Sequence, residues 1–223
     1  MERYSTFTLV HKGLRNALSQ ILFLAGNTDF NSVDEVEKLY QLGKKTFTLM
    51  DGHAEDENNI ILAELEARMP SASHHDKHDH ELIEEKQKEL GNLLTVMLDE
   101  AKSGINANKT GKEFFAKFSV FFGEYMLHMV HEETVTQQQL WDNFTDAELL
   151  VLTQRIVSKF PLDKTIAWYS FMLPAMNPTE RVELYRAVKG AMPVEVFAMV
   201  DESIAEFLPA DAYMQLKGAT ATM

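Results

Sequence analysis

Two histidine–glutamate pairs are the residues of this chain best suited to chemistry. His53 is followed four residues later by Glu57, and His128 is followed four residues later by Glu132. Residues four apart on an α-helix share a face, so each pair can direct an imidazole nitrogen and a carboxylate at one place. The spacing therefore predicts two matching halves of a metal site.

Two single histidines, His11 and His80, complete the candidate ligand set, each in a further stretch with helical periodicity. Four histidines and two glutamates are enough to hold a pair of metal ions inside a four-helix bundle. Nitrogen and carboxylate oxygen donors without thiolate suit iron, while manganese and zinc accept the same donors. The glutamates can bridge two ions, which leaves room for an oxo or hydroxo bridge and for a small external ligand.

The candidate ligands continue the apolar stripes of four amphipathic helices. The stripe on the fourth helix contains Phe114, Phe118, Phe121, Tyr125, His128, Glu132 and Val135. The stripe on the second contains Leu49, His53, Glu57, Ile60 and Glu64, and the one on the third contains His80, Ile83, Gln87, Leu90, Leu94, Met97 and Ala101. On the first helix, His11 lies between Phe7 and Leu14. Since a buried ionised carboxylate is costly without a cationic partner, inward-facing glutamates favour bound metal.

The periodicity predicts an all-α protein. Its long helices are expected at about residues 5–25, 32–68, from the end of the tract 71–80 to 102, and 112–141. These form an antiparallel four-helix bundle over residues 1–142. Prolines, among them Pro174, Pro178, Pro193 and Pro209, divide residues 143–223 into shorter helices, which form a smaller C-terminal region. Capping signatures begin two of them, Thr145 with Glu148 and Asn177 before Pro178.

Composition excludes several classes of function. A net charge of -13 argues against nucleic acid and against an anionic membrane surface. The chain has no cysteine, which excludes disulfides, cysteine nucleophiles and iron–sulfur clusters held by its own thiolates. No apolar run approaches the roughly 20 residues of a membrane span, and the N-terminus does not resemble a signal peptide. A cytoplasmic location is the expectation.

The ordered set His, His-x-x-x-Glu, His, His-x-x-x-Glu resembles the hemerythrin-like (HHE cation-binding) family over about residues 7–135. The resemblance implies a four-helix bundle with a non-haem di-iron centre. Its iron ligands would be His11, His53, Glu57, His80, His128 and Glu132, with the two glutamates bridging. Glu84 stands four residues after His80 and Glu133 five after His128, which departs from the invertebrate oxygen carriers. The pattern is nearer to the branch with iron–sulfur repair proteins and iron- or oxygen-sensing domains, although the cysteine segment of the repair proteins is missing.

Several further residues are candidates beside this set. His78 is the alternative to His80 as the ligand of the third helix, whereas His74 and His75 are expected in an exposed loop. Tyr125 lies one turn before His128 and is expected near the metals or in the core. Glu84, Glu133 and His131 are expected around the ligands, as alternative ligands or at the surface.

The favoured function is a protein whose di-iron centre binds or senses oxygen, nitric oxide or a related small ligand. No catalytic residue is assigned. The alternatives are a di-iron enzyme acting on peroxide, oxygen or nitric oxide, and an iron-handling or stress protein. The C-terminal helices, rich in methionine and aromatic residues, are expected to cover an end of the bundle or to form a homodimer surface.

Overall fold

The computed structural model describes residues 3–220, which are helical throughout with short connections and contain no β-strand. The α-helices are α1 (Thr8–Asn27), α2 (Val33–Asp56), α3 (Leu62–Arg68), α4 (His74–Lys102), α5 (Asn108–His131), α6 (Gln137–Asn143), α7 (Asp146–Val157), α8 (Leu162–Ala175), α9 (Pro178–Ala191), α10 (Val194–Phe207) and α11 (Ala210–Thr220). Two π-helical turns join neighbouring helices without a break. The first π-turn (Glu57–Ile61) connects α2 to α3, and the second π-turn (Glu132–Thr136) connects α5 to α6. The predicted all-α class is confirmed.

The described residues form two compact units. The first comprises residues 3–8 and 17–158, and the second comprises residues 9–16 and 159–220. The division expected at 142/143 would separate α7 from the preceding helices. In the structure α7 belongs to the first unit, because it packs against the first π-turn and its Arg155 pairs with Glu64 at 2.6 Å.

In the first unit, α4 packs against both α2 and α5. Ser32 caps α2 by accepting a hydrogen bond from the Glu35 backbone N–H. Gly43 brings α2 close to α4, since a Cβ at this position would overlap the Leu94 side chain. This close approach fixes the spacing of two helices that carry candidate ligands.

Aromatic side chains form the core along α5. Phe114 and Phe118 stack with ring centroids 5.6 Å apart, and Phe121 follows at 6.0 Å from Phe118. Tyr125 then lies 5.8 Å from Phe121 and 5.6 Å from the ring of His128. Each buried aromatic side chain contributes about 1.5–3 kcal/mol through its removal from water. The stripe holds α5 in one rotation and so aims His128 inward.

The expected loop over the histidine-rich tract 71–80 is wrong, because α4 begins at His74. Glu66 accepts hydrogen bonds from the backbone N–H groups of Ser71 and Ser73 and from the Ser73 hydroxyl. These bonds complete the turn after α3 within a few residues. The tract is therefore free to form the first turns of α4, where Asp76 complements the helix dipole.

The second unit has its own apolar core. The buried members of that core are Leu173, Met176, Tyr185, Val188, Phe197, Val200, Ile204, Leu208 and Leu216. The capping signatures of the C-terminal half are confirmed, since both Thr145 with Glu148 and Asn177 with Glu180 form reciprocal capping boxes. None of the helices in residues 3–220 has the length and apolar character needed to cross a bilayer.

Candidate metal centre

Each histidine–glutamate pair lies where an α-helix passes into a π-turn. His53 is in the last turn of α2 and Glu57 begins the first π-turn, while His128 is in the last turn of α5 and Glu132 begins the second. All four side chains are buried, with between 0% and 7% of their surface exposed. The four-residue spacing thus places both pairs in the interior, as the stripes predicted.

The two glutamates each face two different histidines. Glu57 directs Oε1 at His53 Nε2, 3.1 Å away, and Oε2 at His80 Nε2, 3.4 Å away. Glu132 directs Oε1 at His80 Nε2, 3.4 Å away, and Oε2 at His128 Nε2, 3.3 Å away. His80 therefore lies between the two carboxylates, and each carboxylate has the arrangement required to bridge two cations.

The candidate ligands fall into two overlapping groups. Within the first unit, one group includes His53, Glu57 and Glu132, and the other consists of His80, His128 and Glu132; the ligand atoms within a group all lie within 4.8 Å of one another. His11 is fully buried on α1. Glu132 belongs to both groups, which is the pattern of two neighbouring cation positions that share a carboxylate.

The donor set fits a pair of divalent metal ions. Several imidazoles and two carboxylates meet in a region with almost no exposed surface, which is costly unless a cation balances the charge. The buried Nε2 atom of His80 makes no hydrogen bond of normal length among the described residues. Nitrogen and oxygen donors of this kind suit iron, manganese or zinc.

Asn58 orients the His80 ring from the other side. His80 Nδ1 lies 3.0 Å from Asn58 Oδ1, and because an amide oxygen only accepts, Nδ1 carries the proton of this bond. This leaves Nε2 facing the carboxylates. Burial lowers the pKa of His80, but Glu132 and Glu57 outweigh burial and raise the pKa to about 10. The two carboxylates thus favour the protonated form of His80, and a metal ion bound at Nε2 would compete with that proton.

Both π-turns shift the helix that follows by one residue. The Leu62 N–H donates to the Glu57 carbonyl oxygen, five residues earlier, and the Gln137 N–H donates in the same way to Glu132. The α-helical stripes predicted Glu64 and Val135 as the next inward positions, and this is wrong. Glu64 is 39% exposed, Val135 is 44% exposed, and the buried positions are instead Leu65 and Thr136. The extra residue in each π-turn causes the shift.

The remaining predicted residues lie at different distances from the ligands. Tyr125 is buried and contacts the His128 ring; burial, followed by the charges of Glu57 and Glu132, raises its pKa well above 10, so the phenol stays protonated. His78 is 64% exposed and lies away from the cluster. Glu84 also lies away from the cluster and pairs with Lys88 at the surface.

His131 and Glu133 are half-buried at the end of α5 and in the second π-turn. His131 Nε2 lies 3.6 Å from Asp76 Oδ1 and outside both ligand groups. The predicted third helix is α4, and of its histidines His80 is the one whose Nε2 faces Glu57 and Glu132.

Sequence reasoning missed Asp76 and Asp79. Asp76 is 1% exposed and accepts a hydrogen bond from Thr136 at 2.7 Å. Burial raises the pKa of Asp76 to about 6, although the Thr136 bond opposes the increase. Asp79 Oδ2 lies 3.7 Å from Nδ1 of His128. The available signal was spacing, because Asp76 and His80 are four residues apart on one helical face.

A cleft between α2 and α4 reaches the ligand cluster. It encloses about 830 Å³, and its lining includes His80, Tyr125 and Asn58. Polar side chains from both helices, among them Asp51 and Gln87, line the remaining walls. The cleft gives small molecules a route to the side of the cluster at which His80 and Tyr125 lie.

Comparison with known proteins gives one distant relative. The chain is 21% identical over 190 residues to a zinc finger protein BRUTUS-like of Arabidopsis thaliana, and the match covers 85% of this chain. The matched part is 15% of the length of that relative. No family model matches the chain, and no solved structure matches it.

Proposed function

We propose that this chain is a hemerythrin-like metal-binding protein. Its di-iron centre would bind or sense oxygen, nitric oxide or a related small ligand. In this proposal α1, α2 with α3, α4, and α5 with α6 are the four helices of an antiparallel bundle. The ligands are His11, His53, Glu57, His80, His128 and Glu132.

One observation carries the proposal: each glutamate directs its two oxygens at different histidines, at 3.1–3.4 Å. A single ion does not require two such carboxylates, whereas a pair of ions does. Bound iron would supply a redox-active Lewis acid at which a diatomic ligand can bind. The Arabidopsis relative is called a zinc finger protein, but the absence of cysteine leaves this chain unable to form a thiolate-ligated finger.

The protein side chains would control what reaches the ions. Phe121, buried on α5 next to Tyr125, would keep bulk water from that side of the ions. Asn58 holds His80 in the orientation that directs Nε2 inward. The cleft leaves the side facing α2 and α4 accessible, so a small neutral ligand can enter while the carboxylates stay enclosed.

Metal analysis combined with an optical spectrum tests the proposal. The purified protein should contain about two iron ions per chain, and admitting oxygen or nitric oxide to the reduced protein should produce a ligand-to-metal absorption band. The variant with His53→Ala and His128→Ala should lose both iron and band. His74→Ala is the matched control, because His74 is 72% exposed and lies outside the cluster. An iron-loaded protein whose spectrum responds to neither gas would refute the proposed function.

A second candidate is a di-iron enzyme that uses the same centre, reached through the cleft of about 830 Å³. Peroxide, oxygen or nitric oxide consumption by the iron-loaded protein, reduced in the double histidine variant, would support it. The absence of turnover with all three compounds would exclude this candidate while leaving ligand binding intact.

A homodimer through the second unit stays a prediction. Val194, Met199 and Met214 are exposed there, at 79%, 54% and 73%. Sedimentation of the purified chain at several concentrations would test it.

A further inference from the structure

A second cluster of metal-binding side chains lies outside the ligand set described above. His75 and Asp76 come from the first turn of α4, and His131 comes from the last turn of α5. Each offers one ligand atom, and the three atoms lie within 4.8 Å of one another. We call these three residues the outer cluster. Helices α4 and α5 pack together and therefore hold it in place.

The carboxylate of Asp76 has one oxygen bonded and one oxygen directed at the cluster. Thr136 donates to Oδ2 at 2.7 Å, whereas Oδ1 accepts no hydrogen bond from the described residues. Nε2 of His131 lies 3.6 Å from Oδ1, which is too long for a hydrogen bond. Because Asp76 is 1% exposed, this oxygen cannot be satisfied by bulk water, and leaving it so is costly.

The two histidines give the outer cluster an open side. Their ring centroids are 4.0 Å apart with planes inclined by 59°. The His75 side chain is 56% exposed and that of His131 is 29% exposed, so solvent reaches the ring nitrogens. Two imidazoles and one carboxylate with an open side are a donor set that binds divalent transition metals, with water as the remaining ligand.

We propose that His75, Asp76 and His131 bind one divalent transition-metal ion, separate from the dinuclear centre. The proposal does not depend on the proposed function, because the two sites have no ligand in common. They are nevertheless connected. Asp79 Oδ2 lies 3.5 Å from His75 Nε2 and 3.7 Å from His128 Nδ1, and Thr136, which holds Asp76, belongs to the second π-turn.

Titration of the chelator-treated full chain with Co²⁺ tests this inference. The wild-type protein should bind one more cobalt ion per chain than either single variant, His75→Ala or His131→Ala. Both altered histidines are partly exposed, so the variants should retain the wild-type far-ultraviolet circular dichroism. His74→Ala, adjacent in sequence and 72% exposed, should keep the wild-type stoichiometry. In the two cluster variants the affinity at the outer cluster should fall by at least about tenfold, with loss of the corresponding visible absorption of bound cobalt.

A further variant separates the two sites. His53→Ala with His128→Ala should lose the ions of the dinuclear centre while keeping the cobalt ion that His75→Ala removes. Equal stoichiometry and affinity in the wild type, His75→Ala and His131→Ala would overturn the outer site, whatever happens at the dinuclear centre. Asp76→Asn should also lose the extra ion, and retention of that ion would count against Asp76 as a ligand.

Discussion

Residues 53–61 and 128–136 are two regions with the same backbone design. Each begins with a histidine in the last turn of an α-helix and has a glutamate four residues later. That glutamate begins a π-turn, and its carbonyl oxygen accepts a hydrogen bond from the backbone N–H five residues later. What surrounds them differs. Within the first π-turn a neutral amide, Asn58, contacts His80 of α4, whereas beside the second the carboxylates of Asp76 and Asp79 face Thr136 and His128.

This difference predicts that the repeated motif does not give two equivalent positions in the proposed metal centre. The first region supplies a neutral hydrogen-bond partner to His80 of α4, whereas the second lies beside negatively charged side chains. A carboxylate near a ligand histidine raises the basicity of its ring, while an amide mainly orients it. We therefore expect the two cation positions to differ in affinity and in sensitivity to mutation.

The largest expected effect is a difference in metal content between variants of the two glutamates. Glu132 belongs to both ligand groups, whereas Glu57 belongs to one, so Glu132→Gln should abolish metal binding and Glu57→Gln should leave a part of it. Elemental analysis of the two purified variants, loaded side by side with iron, measures this. Equal metal loss in both variants would mean that the two regions are more alike than their geometry indicates.

Removing one residue from each π-turn should produce the next largest effect. Deletion of Asn59 should rotate α3 and take Leu62 and Leu65 out of the core, and deletion of Val135 should displace Leu140 of α6. Each deletion should cost about 3 kcal/mol or more of the free energy of unfolding. Asn59→Ala and Val135→Ala, at the same exposed positions, should cost less than about 0.5 kcal/mol. Urea unfolding of the metal-free proteins would show whether deletion and substitution differ as expected.

The outer partners of the ligand histidines allow a finer comparison. Asn58→Ala should weaken metal binding about 10- to 100-fold, because Asn58 bonds His80 at 3.0 Å. Asp79→Ala should have a smaller effect, since its oxygen lies 3.7 Å from His128. Competition with a chromophoric chelator gives both affinities, and Asn59→Ala is the control. A larger loss with Asp79→Ala would show that charge matters more than orientation.

The smallest effect concerns Glu66, which holds the turn from α3 to the start of α4. Hydrogen bonds from the Ser71 backbone, the Ser73 hydroxyl and the Ser73 backbone lower the pKa of Glu66 to about 2. A carboxyl group whose pKa is lowered by folding stabilises the folded state above its unfolded pKa, near 4.5, and loses this contribution as the pH falls towards 2. Glu66→Gln should therefore be less stable than the wild type at pH 6, with the difference disappearing towards pH 2.

Urea unfolding at a series of pH values, on metal-free protein, measures that difference. Glu81→Gln is a suitable control, because Glu81 is 78% exposed. A difference between Glu66→Gln and the wild type that stays constant from pH 6 to pH 2 would contradict the assignment.

The sequence was informative wherever a fixed period controls the structure. The four-residue spacing of the two motifs and the helical phase of His80 placed these side chains on inward faces, because an α-helix repeats its faces regularly. The π-turns could not be foreseen, since one extra residue leaves no mark in composition. As a result the stripes predicted Glu64 and Val135 where the structure buries Leu65 and Thr136.

Asp76 escaped prediction for a different reason. It lies within a run of charged and histidine residues that has the composition of a solvated loop. Its burial depends on Thr136, which is distant in sequence and is turned inward by the second π-turn. The four-residue spacing from His80 indicates the helical face of Asp76, but the Thr136 contact that accompanies its burial is a property of the assembled helices.

The close approach at Gly43 gives a way to change which molecules fit the protein. Gly43 meets Leu94 at the wall of the cleft, ten residues before His53, which is about 15 Å along α2. A side chain at this position would push α2 and α4 apart and change the width of the cleft. Substitution at Gly43 would therefore alter the access route from a remote point, together with the spacing of the two helices that carry the candidate ligands.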